Sequence, residues 1–264
     1  MLSLRILNSI IREGRNIYLT DIGSVYENQR SITVDEKNSI WSNSLSLNFG
    51  KEGQWLEDRK FARVGVSTAV FFLDGDEIRT LAIEFDANHP LKPNKLSPPA
   101  GVWEGSDERN VFWSGLSELG EEAIITVGNY IIPWRYSDGS VLAYDWICEY
   151  AKDHNFMVSK KTYLDIHNFS ECEDPYYIYL NGKYQGRAVL ACEPETGSLE
   201  IIFLVSCFEM TVEKFLDGER HNGSWLDRKI EILTIKELIN AKDQKRLTSK
   251  MEAILEIFLK LTNL

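Results

Sequence analysis

The chain has 264 residues, 44% hydrophobic and 26% charged, with a formal net charge of −11. That size and balance suit a globular protein of one large domain, or a domain with an elaboration. The acidic excess argues against a broad nucleic-acid surface, which needs clustered Lys and Arg, and no apolar run is long enough to span a membrane.

Residues 2–11 are apolar but interrupted by Arg5 and Asn8, which predicts a short amphipathic helix. No small-residue cleavage site follows, so a signal peptide is not expected. Residues 24–27, 31–34, 40–41 and 45–49 alternate as strands. Residues 1–60 are therefore expected to form a helix and a β-element ahead of a domain spanning 61–264. Residues 62–73 and 78–85 read as two apolar strands around Asp74-Gly75-Asp76, a hairpin. A loop follows, containing Pro99-Ala100-Gly101-Val102-Trp103-Glu104.

The run from Gly115 to Ile125 predicts a helix whose buried stripe is Phe112, Leu116, Leu119 and Ala123. Glu118, Glu121 and Glu122 fall at i, i+3 and i+4 on the other face. One reading is a solvated acidic face. The other is a site: like charges that close repel and call for a compensating cation, and hard oxygen donors suit Mg²⁺ or Mn²⁺.

Taken together, these residues resemble the Nudix hydrolases. In that family a Gly-containing loop and a Glu precede a helix carrying Arg-Glu-aliphatic-x-Glu-Glu-x-Gly-aliphatic. Glu118-Leu119-x-Glu121-Glu122 and Ile125 match that motif, and the 99–104 segment is similar to its opening loop. Ser117 stands where the family has Arg, and Ile124 where it has Gly. Glu108 is only an approximate counterpart of the first motif Glu, because the linker to the helix is slightly longer.

The resemblance implies an α/β fold: a Nudix-like α/β/α sandwich with a mixed sheet, an N-terminal β-element and an insertion after the motif helix at about residues 126–198. It implies a divalent-metal-dependent hydrolase of a nucleoside diphosphate linked to another moiety, ADP-ribose-like or a sugar nucleotide. Mg²⁺ or Mn²⁺ would be held by Glu118, Glu121 and Glu122, which are also the catalytic candidates, with Gly101 bringing backbone close to the ion. Glu118 either ligates or acts as base. Glu104, Phe85 and Trp103 are candidates for substrate binding, with Glu108 a second-tier carboxylate. Phe85, Trp103, Trp41 and Trp55 are each either stacking partners or core. The family often adds a carboxylate from a late loop, where Glu209, Glu213 and Glu219 lie, each of which reads first as a surface residue.

The family Arg orients a neighbouring carboxylate through a charge-assisted bond. Its absence at Ser117 opens an alternative, a Nudix-like sensor or regulatory protein that binds a nucleotide without turnover. Several sugar-nucleotide Nudix enzymes dimerise through a small N-terminal β-element, so a homodimer is an expectation, with a small nucleotide as ligand and no membrane partner.

Within 126–198, residues 144–150 are either helical or extended, and residues 176–180 and 187–191 flank Asn181-Gly182 as a hairpin with a longer loop. This insertion reads as a lid, or as an elaboration or oligomer contact. Residues 199–208 form a continuous apolar run, a buried strand. Residues 229–238 read as a strand leading into a short helix, and residues 249–261 as a helix with a capping box of Ser249 and Glu252. Cys148, Cys172, Cys192 and Cys207 form no CxxC pair, so reduced thiols of a cytoplasmic protein are expected.

Overall fold

In the computed structural model of the chain, the described residues are 17–19, 31–32, 41–42, 63–74, 77–87, 89, 92–102, 111–169, 176–180, 183–193, 198–207, 214–221 and 223–261. The predicted helix at 2–11, the strands at 24–27 and 45–49, and Trp55, Trp103, Glu104, Glu108, Glu209 and Glu213 lie outside them.

The first strands are β1 (Ile17–Leu19), β2 (Arg63–Asp74), β3 (Glu77–Glu84) and β4 (Leu96–Ser97). Helix α1 (Val111–Glu122) precedes β5 (Ala123–Val127), β6 (Tyr130–Ile132) and β7 (Trp134–Tyr136). Helix α2 (Tyr144–His154) precedes β8 (Met157–Val158), β9 (Leu164–Asn168), β10 (Tyr176–Leu180), β11 (Lys183–Glu193) and β12 (Ser198–Cys207). The chain closes with β13 (Lys214–Asp217), β14 (Lys229–Thr234), α3 (Ile235–Asp243) and α4 (Ser249–Leu261). It divides into two compact units.

The first unit is Met1–Val66, Gly101–Ser114 and Cys172–Phe203. Here β1 runs parallel to β10, with Ile17 opposite Ile178. Strands β10 and β11 pair antiparallel as expected of a hairpin here, but the second strand starts at Lys183, opposite Leu180, rather than at Arg187 after a longer loop. Strand β11 pairs in turn with β12, Ala188 opposite Phe203. Residues 31–32 and 41–42 form a short antiparallel pair, so strands are present in the N-terminal segment.

The second unit is Ser67–Ala100, Gly115–Glu171 and Leu204–Leu264. The predicted hairpin forms, with Phe71 of β2 opposite Thr80 of β3. Strand β14 lies on the other edge of β3, Ile230 opposite Ile83. Strand β9 is parallel to β7 but antiparallel to β12, so the sheet is mixed. A four-stranded sheet in the order β8-β6-β5-β13 is also mixed, with β8 parallel to β6.

Residues 67–72 of β2 are all fully buried, as their near-continuous apolar run demands. Neighbours on a strand point to opposite faces. Phe71 stacks on Phe169 at 4.5 Å and meets Phe258 of α4 at 5.1 Å. Phe72 faces the other way, toward Trp134 and Phe215 of β13. The next layer repeats the logic: Ile125 and Phe215 are register partners on one face, while Ile124 and Leu216 turn to the opposite face and pack with Ile147, Tyr150 and Ala151 of α2. Helices thus cover both outer faces of the strand layers, an α/β arrangement as expected.

Helix α4 buries Met251, Ile254, Leu255 and Phe258. Its capping residue is Thr248 rather than Ser249, with Thr248 Oγ1 accepting from the Met251 N–H at 3.4 Å. The full capping box lies one helix earlier, between Thr234 and Glu237 of α3.

Helix α1 ends at Glu122 rather than running on to Ile125, and Ala123 begins a strand. The β-branched run Ile124-Ile125-Thr126-Val127 favours that switch. The Ala123 carbonyl accepts from Trp134 Nε1 at 2.7 Å, and the Glu122 carbonyl accepts from the Gly218 N–H at 3.2 Å, so groups orphaned by the helix end are satisfied. Among the described residues no helix is long and apolar enough to cross a membrane.

Gly218 sits so close to this helix end that a Cβ there would lie 2.0 Å from the Glu121 carbonyl oxygen. Gly218→Ala should therefore destabilise the protein by about 1–3 kcal/mol. The expected readout is a lower urea midpoint with an unchanged m-value; an unshifted midpoint would show that the turn has room to move.

Candidate functional site

The last turns of α1 are pinned from several directions. Thr68 Oγ1 on β2 donates to the Gly115 carbonyl at 2.7 Å. Gly120 faces Leu142 and Ala143, whose Cβ atoms would each stand 2.9 Å from an added Cβ, so only a bare backbone fits. The pairing of β13 with β5 sets Asp217 opposite Ala123, and Gly218 and Glu219 follow.

Arg228, just before β14, reaches into this corner. Its Nε donates to Asp217 Oδ2 at 2.7 Å and its Nη2 to Asp217 Oδ1 at 2.8 Å, a bidentate fork. The same Nη2 donates to Glu122 Oε1 at 2.9 Å, and Nη1 pairs with Glu219. The Arg228 backbone N–H also donates to Asp217 Oδ2, at 3.0 Å. These are buried ion pairs: side-chain exposure is 9% for Arg228, 7% for Glu122 and 0% for Asp217. The other Glu122 oxygen accepts from the Ala100 N–H at 2.5 Å, which ties the 99–100 loop to the helix.

The electrostatics follow from crowding acids at one place. Burial, then the charges of Glu122, Glu121 and Glu219, push the Glu118 pKa up from 4.5 to about 9, with Lys250 pulling the other way. Burial also raises Glu122, against the opposing pull of Arg228 and the Ala100 N–H. Burial alone would lower the pKa of Arg228; its bonds to Asp217 and the charges of Glu122 and Glu219 reverse that, and the net direction is up.

Phe85 follows β3 and is half-buried. Its ring meets that of His89 at 4.6 Å, and Lys92 Nζ lies 5.5 Å from its centroid. The Lys92 N–H donates to His89 Nδ1 at 3.0 Å. Burial lowers the His89 pKa, helped by the charges of Lys92 and Arg228 and opposed by Glu219 and Asp86, so this loop shares the electrostatic field of the acids.

The expected acids are therefore distributed as follows. Glu118, Glu121 and Glu122 stand on the last turns of α1, and of the late-loop candidates Glu219 joins their field. Gly101 lies in the short strand Ala100–Val102, next to the residue that bonds Glu122. Trp103 and Glu104 are outside the described residues. Arg228, Asp217 and His89 had no local signal; a register between distant strands brings them in.

Carboxyl groups are hard oxygen donors of the kind that suits Mg²⁺ or Mn²⁺, and Glu118, Glu121, Glu122 and Glu219 lie in one electrostatic field. As arranged, no three His, Cys, Asp or Glu side chains among the described residues form one ligand group. Arg228 stands among the acids instead.

No protein-family pattern matches the chain, and no curated protein matches it. Solved structures do. A NUDIX hydrolase from Alicyclobacillus acidocaldarius aligns over 74% of this chain and 89% of its own, at 11% identity and a TM-score of 0.40. A C. elegans Ap4A hydrolase in a binary complex aligns over 76% and 98%, at 12% identity and a TM-score of 0.36. The NUDIX domain of Shewanella oneidensis NrtR, complexed with ADP ribose, aligns over 75% and 86%, at 12% identity and a TM-score of 0.37. Likeness of this degree decides no chemistry, which rests on the chain's own residues.

The raised Glu118 pKa has a signed consequence for stability. Its folded value, about 9, lies above the ordinary 4.5, so the folded state holds a proton that the unfolded state releases between them. That stabilisation is complete below pH 4.5 and is lost as pH rises toward 9. In the presence of EDTA, the melting temperature of the wild type should fall across this window, and that of Glu118→Gln should fall less. Parallel melting curves for the two proteins would show that Glu118 does not titrate this way.

Proposed function

We propose that the chain is a divalent-metal-dependent hydrolase that cleaves the diphosphate of a nucleoside diphosphate joined to another moiety. The observation that carries this reading is that Glu118, Glu121 and Glu122 of α1 share one electrostatic field with Glu219, while Arg228 bonds Glu122 and Glu219. Mg²⁺ or Mn²⁺, when bound, would polarise the phosphoryl group and lower the pKa of its bound water. Glu118, Glu121, Glu122 and Glu219 are the oxygen donors that would hold it, and the Gly101 backbone is the further group this proposal assigns to it. Without an ion Glu118 holds its proton near neutral pH; a bound cation beside it would favour the carboxylate, the form that can ligate or act as base.

The ring of Phe85, with His89 and Lys92 beside it, offers an aromatic face and positive charge, which suits a base and its phosphates. ADP-ribose-like compounds and sugar nucleotides are the favoured substrates. A cytoplasmic location and a homodimer that uses the N-terminal strands belong to the same proposal.

A second reading has its own support. Arg228 already spans Glu122, Asp217 and Glu219, so part of the compensating charge is built into the chain. On that reading the protein binds its nucleotide without consuming it.

The readings separate on a panel of ADP-ribose, NAD, dinucleoside polyphosphates, sugar nucleotides and nucleoside triphosphates, with Mg²⁺ or Mn²⁺ and with EDTA. The expected result is metal-dependent release of a nucleoside monophosphate or phosphate. Glu122→Gln should cut it by ~100-fold or more while circular dichroism is unchanged. Full turnover by that variant would refute the site assignment. Thermal stabilisation by one compound with no cleavage of any would favour the binder.

A further inference from the structure

We propose that a cavity in the second unit is a binding site for an amphiphilic anion, a small molecule with an apolar body and one anionic group at its end. None of the acids at the end of α1 lines this cavity, and the site does not depend on the hydrolase reading above.

The cavity has a volume of about 670 Å³ and lies between strands β5 and β6 and residues 158–164. Pockets for small organic ligands span ~300–1,000 Å³. Strand pairing shapes its floor. Ile125 lies opposite Ile132 and Val127 opposite Tyr130, so these four side chains share one face. It is the face of Phe215, whereas Ile124 and Ile131 turn toward α2. Burial falls outward along both strands. Ile125 is 1% and Ile132 9% exposed, while Val127 is half-buried and Tyr130 is 48% exposed. The cavity is therefore apolar and closed at its inner end and meets water at Tyr130.

The facing wall supplies charge. Residues 159–162 carry the chain from β8 toward β9, and Lys160 and Lys161 are both exposed. This wall is held in place. The Ser159 N–H donates to the Ile131 carbonyl at 2.8 Å, and the Leu164 N–H to the Pro133 carbonyl at 3.0 Å, which fixes its two ends. Between them Ser159 Oγ accepts from the Thr162 N–H at 2.9 Å, and Tyr163 Oη donates to the Lys160 carbonyl at 3.1 Å. Arg135 lies over the Tyr163 ring, 4.4 Å from its centroid, and its fork is committed to Asp165. A wall fixed in advance spares a ligand the entropy of ordering it.

Charge selects the ligand. The chain has 40 acids against 29 Lys and Arg, yet no acid lines the cavity and two lysines do. A cation would meet like charge there. A bare inorganic anion would face an apolar floor that offers it no hydrogen bond. An apolar body against Ile125 and Ile132, with its anionic end beside Lys160 and Lys161, satisfies both halves of the cavity.

The test uses the full-length protein in EDTA, without nucleotide. Anilinonaphthalene sulfonate, an anion whose fluorescence rises in apolar surroundings, reports occupancy. Decanoate and decyl phosphate, kept below the concentrations at which they self-associate, should each displace it saturably, and decylammonium far less. Lys160→Gln with Lys161→Gln should raise the Kd of decanoate by about 5–10-fold and leave that of decanol within ~2-fold. High salt should narrow the gap between wild type and double variant. Val127→Trp, which fills the floor near the open end, should abolish displaceable binding while the melt stays cooperative.

A loss for either anion supports the site, and the larger loss names the head group. The same decanoate Kd in wild type and in the folded double variant would overturn the proposal. So would decylammonium binding as tightly as decanoate, or a probe that neither anion displaces. Both lysines are exposed, so the double variant is expected to fold, and it decides alone if Val127→Trp does not. No step of this test involves turnover, so failure of the hydrolase reading leaves its result standing, and failure of this site leaves the hydrolase reading untouched.

Discussion

Arg228 joins the end of helix α1 to the turn after β13, and it does so where water is largely excluded. Burying a guanidinium or a carboxylate costs several kcal/mol per ion, and mutual attraction offsets this only when geometry is good and the remaining donors find acceptors. Both conditions hold here: the fork on Asp217 is bidentate, and the other bonds reach Glu122 and Glu219. Such a network adds modest net stability, but breaking one partner leaves an unpaired buried charge, a loss of about 3–5 kcal/mol. Helix end, turn and strand entry are therefore bound to move together or not at all.

The backbone makes that network possible before any charge is considered. Asp217 faces Ala123 because β13 pairs antiparallel with β5 in a register where Phe215 meets Ile125 and Leu216 meets Ile124. A slip of one residue would exchange the faces of Phe215 and Leu216, turning the aromatic ring away from Phe72 and the core. Apolar burial thus selects the register, and the register delivers Asp217 to the residue after Glu122. Gly218 then makes the close approach that lets its N–H reach the Glu122 carbonyl.

Local patterns in the sequence carried much of this. The β2–β3 hairpin, the buried strand β12, the β14–α3 unit and the apolar stripe of α4 all follow from period-two or helical spacing. So does the acidic face of α1, since Glu118, Glu121 and Glu122 need only their own spacing to share it. The end of α1 was less legible, because a motif read as one helix competes with a β-branched run that prefers a strand. The cap of α4 shifted by one residue for a similar reason, two hydroxyls standing side by side at Thr248 and Ser249. Arg228 was beyond local reading altogether. Among 29 Lys and Arg residues, nothing in Leu226-Asp227-Arg228-Lys229 marks one as buried; only the approach of β14 to β3, and of β13 to β5, does so.

The segment expected as a lid or an elaboration has, in its helical part, a definite mechanical role. Trp146 Nε1 of α2 donates to the Gly218 carbonyl at 2.7 Å, in the turn that carries Asp217 and Glu219. Glu149 pairs with Arg220, and Asp153 accepts from Trp225 Nε1 at 3.1 Å. The rings of Trp146 and Tyr150 meet Trp225 edge-on, at 5.5 and 4.9 Å. A lid must separate from what it covers, and an element with this many directional bonds to residues 218–225 would have to break them all to do so. Helix α2 instead braces the turn: Trp146 holds the Gly218 carbonyl while Arg228 grips Asp217 and Glu219 on either side of that glycine, so the position of Glu219 depends on both.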